Sequence, residues 1–105
     1  MSDPLLHFNA KIFAAQLHAK FKVQHDGSRF VELELVEVLE PQSPPHVELF
    51  ILHFRGPLAP RLDQRIHHFD HEIMGAFDLF LTAIGADAQG SDYEAVFHRL
   101  RKKAS

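Results

Sequence analysis

The sequence contains no cysteine. That excludes disulfide scaffolds, thiolate zinc sites, cysteine-ligated iron–sulfur clusters and cysteine nucleophiles, and it fits a reducing, cytoplasmic setting. No apolar run approaches the ~20 residues that a helix needs to span a bilayer. The opening residues, Met1-Ser2-Asp3-Pro4-Leu5-Leu6-His7, lack the basic start and long apolar stretch of a secretory leader, so none is expected. Basic charge is also short. The 11 Lys and Arg stand against 14 Asp and Glu, a net charge of −3, so a general nucleic-acid surface is not expected. Catalytic signatures are missing too. None of Ser2, Ser28, Ser43, Ser91 and Ser105 lies in a G-x-S-x-G elbow, and there is no phosphate loop or G-x-G-x-x-G. Tryptophan is absent and Tyr93 is the only tyrosine.

The 105 residues suffice for one domain, 1–105, that holds its own core. Phenylalanine, at 10 residues, points to a small and tightly filled core. Residues 30–54 hold Glu32, Glu34, Glu37, Glu40 and Glu48 with no Lys or Arg, which reads as a solvated sheet face. Arg99, Arg101, Lys102 and Lys103 read as a charged tail, or as a short contact for an acidic partner.

Along the chain, residues 9–18 have helical spacing. Asn9 can cap, and Phe13 and Leu17 lie one turn apart with Ile12 widening the stripe. Strand patterns follow. Residues 20–25 end at Asp26-Gly27, a hairpin turn signal. In 30–39, Val31, Leu33 and Leu35 alternate with glutamates, and then the phase slips. One extra residue in the ladder does this, so a β-bulge is expected near Leu35-Val36. Pro41, Pro44 and Pro45 make 40–45 a loop. Residues 47–54 are apolar on both faces from Leu49 to Leu52, which predicts a central strand covered on both sides. A long loop follows through Gly56, Pro57 and Pro60. Further strands are expected at about 65–71, 76–84 and 92–100, with a turn at Met74-Gly75 and a polar loop over Gly85–Ser91. The expected fold is mainly β: about six antiparallel strands in a curled sheet or small barrel, with one N-terminal helix. Strands 30–39, 47–54 and 76–84 are expected at its centre, with Ile51 and Phe80 buried.

Nine histidines are the compositional oddity. In His67-His68-Phe69-Asp70-His71-Glu72, a helix would stack His67 over His71 for a shared zinc. On a strand they share a face but lie ~13 Å apart at ~3.3 Å per residue. A metal or ligand site would then need a partner such as His53 or His98. His68 and Asp70, on the opposite face, could pair. Arg55 leaves the central strand just before Gly56-Pro57. It reads as an anion clamp or as an ion-pair partner, to Asp78 or Glu94. Tyr93 reads as a core-edge residue with a hydrogen-bonded hydroxyl.

Several stretches carry a resemblance: Phe54-Arg55-Gly56-Pro57, His71 with Gly75 four residues on, Phe77-Asp78-Leu79-Phe80-Leu81, Ile84-Gly85, and Tyr93-Glu94-Ala95-Val96-Phe97 followed by Arg99. From about Phe13 to Arg99 the chain resembles a family of small, uncharacterised bacterial proteins classed as a domain of unknown function. The resemblance implies a bacterial source and one compact β-rich domain, and brings no activity with it. It also implies Tyr at the position of His67 and Asn at that of His98 in many members, which weakens both as shared ligands.

The residues therefore argue for a non-catalytic structural or protein-interaction module with no cofactor. It would associate as a homodimer or with another protein through a sheet edge or apolar face. The alternative is a small-ligand or metal-binding barrel with His53, His67, His71 and His98 as ligands. Arg55, Asp78, Glu94 and Arg99 are the anion or ion-pair candidates. A hydrolase of unrecognised type stands third.

Overall fold

A computed structural model describes residues 8–100; the opening residues and the basic Arg101–Lys103 lie outside it. One short helix, α1 (Ala10–Ala14), precedes six strands: β1 (Lys20–Asp26), β2 (Arg29–Leu39), β3 (Val47–Gly56), β4 (Arg65–His71), β5 (Gly75–Asp87) and β6 (Gly90–Leu100). All neighbours are antiparallel, and the sheet closes as a ring in the order β1-β2-β3-β6-β5-β4. The six antiparallel strands are as expected, but the ring has no central strand. β6 separates β3 from β5, which were expected together at a sheet centre.

Local chemistry explains most boundaries. The Asn9 side chain accepts from the Ile12 amide at 2.9 Å and starts α1. The helix ends sooner than 9–18 because the chain must meet β2. Gln16 and Leu17 tighten to i−3 bonds, His18 turns at φ +70°, and its amide donates to the Leu35 carbonyl. Phe13 is buried as expected, but Leu17 is 42% exposed. Gly27, with φ +54°, turns β1 into β2. The register of β2 against β3 shifts between Leu35 and Glu37, the bulge that the phase slip predicts.

The polar stretch Gly85–Ser91 is not a loop. β5 runs on to Asp87 and β6 starts at Gly90. Asp87 Oδ1 accepts from the Gln89 and Gly90 amides at 2.8 and 3.1 Å, so two residues suffice for the turn. The two glycines have sheet roles instead. Gly85 follows a register shift after Ala83. Gly90 packs so closely that a Cβ there would lie 2.6 Å from the Gly56 carbonyl oxygen.

Inward-facing residues fill the ring. Phe13, Phe21, Phe50, Phe54 and Phe69 are fully buried. β5 and β6 pair only from Thr82 opposite Glu94 toward their hairpin, so their other ends part. Phe13 rests against rings on both sides of that opening, Phe77 at 6.1 Å and Phe97 at 5.6 Å. Nearby, Arg99 lies over Phe50 and Phe97, pairs with Glu48 at 2.7 Å and donates to the Phe8 carbonyl. Tyr93, on the inner face with Ala95 and Phe97, accepts the Leu62 amide on its hydroxyl at 2.9 Å. Closure covers only the inner face, which corrects the expected core. Phe80 points outward with 51% exposure, and Ile51 is only half-buried.

Candidate functional site

The outer face of β2, β3 and β6 is organised in cross-strand rows. Glu34 stands opposite Arg55, and Arg55 opposite Asp92. In the next row Glu37 stands opposite His53, His53 opposite Glu94, and Glu94 opposite Thr82. The third row is apolar: Leu39 opposite Ile51, and Ile51 opposite Val96. Beyond it, Leu49 faces His98 and Val47 faces Leu100. Directly opposite side chains on one face of a sheet interact, so each row behaves as a unit.

His53 is the centre of the ionic rows. Its Nδ1–H donates to Glu37 Oε1 at 2.8 Å and its Nε2–H to Glu94 Oε2 at 2.9 Å. Only the imidazolium can donate from both nitrogens. Burial by itself would lower the pKa of His53. The bonds to Glu94 and Glu37 outweigh it, and the net direction is upward from the ordinary histidine value. Arg55 forks between Asp92 at 2.8 Å and Asp87 at 2.5 Å. The Gln89 amide and then the Arg55 guanidinium hold the Asp87 carboxyl below its usual range. Glu34 is lowered by hydrogen bonds from His18 and then Lys20.

The four candidate histidines are dispersed. His67 and His71 are buried inside the ring, while His53 and His98 stand on its outer face. His67 donates from Nε2 to the Asp63 carbonyl at 2.6 Å. His71 Nδ1 accepts the Ile73 and Met74 amides, both at 3.1 Å, and the ring lies 4.4 Å from that of Phe21. Desolvation lowers the His71 pKa, so the ring is a neutral cap on the β4–β5 turn. Glu37 and Glu94 sit at opposite nitrogens of His53 and do not converge on one point. Among the described residues no group of three or more His, Asp or Glu is placed to hold a metal ion.

The four anion or ion-pair candidates all stand in ion pairs, but not those expected. Arg55 takes Asp87 and Asp92. Asp78 pairs with His68 at 2.8 Å, which leaves Asp70 out of the expected His68–Asp70 pair, and Glu94 takes His53. Arg99 takes Glu48. The reading from residues missed Glu37, Asp87, Asp92 and the apolar row. Leu39, Ile51 and Val96 all have outward parity on their strands, but only the register puts them side by side.

A family model described as a domain of unknown function, DUF6916, matches residues 8–97. The chain belongs to this family. Its description assigns no chemistry, so the family fixes kinship and leaves function to the geometry. Comparison with curated proteins and with solved structures returns no match in either.

Proposed function

We propose that the chain is a single-domain, non-catalytic interaction module that self-associates through the outer face of β3 and β6. A cytoplasmic, bacterial setting belongs to this reading, on the absence of cysteine and the resemblance described above. The observation that carries it is the apolar row Leu39–Ile51–Val96, which lies beside two ionic rows on the same outer face, with Val96 54% exposed. A second copy fits this surface by hydrogen-bonding groups as well as by apolarity. A two-fold axis along the row brings β6 against β6, with His98 of each copy opposite Glu94 of the other. The phenylalanine-filled interior supports a binding surface over an internal ligand chamber.

Light scattering across a concentration series tests the proposal. The expected mass rises from 12.0 kDa toward twice that value. A single-chain mass at every concentration rejects self-association.

A further inference from the structure

The seam between β1 and β4 has a different chemistry. Its ladder holds at only two positions, Lys22 opposite Asp70 and Val23 opposite Phe69. Past Val23 the strands part, leaving a cleft of about 380 Å³. His25 lines it from β1, Arg65, His67 and His68 from β4, and Asp78 from β5. Arg65 is exposed and enters none of the ion pairs among the described residues. Its hydrogen bond goes to the His25 carbonyl at 3.4 Å. The one carboxylate in the lining, Asp78, is already taken by His68.

We infer that this cleft binds a small phosphate-type oxyanion. An unpaired guanidinium presents a planar fork of donors matched to phosphate oxygens. The volume exceeds that of phosphate alone and leaves room for a small organic group. The two β4 histidines of the lining are already engaged: adjacent in sequence, they point to opposite faces, His67 into the ring and His68 outward. His68 donates from Nδ1 to Asp78, and His67 from Nε2 to the Asp63 carbonyl. Arg65 is therefore the side chain that holds the anion, and the histidines border the site.

The probes are inorganic phosphate and phenyl phosphate, titrated into the full chain by calorimetry. Amide NMR shifts map the site in parallel. The expected result is saturable binding, shifts centred on Gln24–Gly27 and Arg65–His68, and at least about tenfold weaker binding in Arg65→Gln. Tighter binding of the ester identifies a phosphate monoester as ligand; equal binding identifies phosphate itself. No saturable binding of either probe, or full affinity in Arg65→Gln, overturns the inference.

Discussion

Replacing His53 with Gln removes a cation held between two carboxylates. An amide can donate to Glu37 or to Glu94, but its oxygen then faces the other carboxylate, and the row loses its positive charge. The imidazolium makes two charge-assisted bonds, at 2.8 and 2.9 Å. Bonds of this kind in a dry site are worth about 1.5–3 kcal/mol each. Here Glu37 is 53% exposed, so solvent screening reduces the pair to about 1 kcal/mol in all. The sign with pH follows from the raised pKa of His53. A group that binds its proton more tightly when folded stabilises fully below its unfolded value, about 6.5, and loses that contribution as pH rises through the folded value. Urea unfolding of both proteins at pH 6 and pH 9 reads the difference directly. His71 titrates in the opposite sense, but it is present in both proteins and cancels. Wild type should exceed His53→Gln by about 1 kcal/mol at pH 6 and by much less at pH 9. A gap that is constant, or that widens with pH, would refute the imidazolium bridge.

Other outcomes follow from burial and contact. Phe13→Ala should cost about 3–5 kcal/mol in thermal or urea melts, and Phe80→Ala below about 1 kcal/mol; the reverse order would mean that the inner and outer faces are misassigned. Gly90→Ala drives a Cβ toward a backbone oxygen that cannot yield cheaply, and should destabilise by about 1–3 kcal/mol, measured by the same melts. His71→Ala strips the acceptor from two amides and should cost about 1–3 kcal/mol above pH 7. Because the His71 pKa is lowered on folding, its contribution is present above about 6.5 and is lost as pH falls through the folded value, so the cost should shrink in acid.

Much of the strand order was legible because its signals are local. Glutamates alternating with Val31, Leu33 and Leu35 mark β2, and the break of phase after Leu35 marks its bulge. Tyr93, Ala95 and Phe97 mark the inner face of β6. Small and polar residues misled over Gly85–Ser91, since a bulge and a close backbone approach use the same residues as a loop. Ile51 and Phe80 misled because an apolar strand looks alike whether both faces are covered or one faces outward. The ionic rows were the least legible. Arg55 finds Asp87 and Asp92 across 32 and 37 residues of chain, and only the register of β3 on β6 and the Asp87 turn bring them together. The histidine cluster drew attention by composition, yet His67 and His71 bond to nearby backbone groups.

Sedimentation equilibrium of Val96→Glu beside Ile66→Glu tests whether the row on β3 and β6 is the contact between copies. Both residues are exposed, at 54% and 64%, so neither change should unfold the chain. Only Val96 belongs to the row. Val96→Glu should sediment as a single 12.0 kDa chain at concentrations where wild type and Ile66→Glu approach twice that mass. A doubled mass retained by Val96→Glu would contradict it.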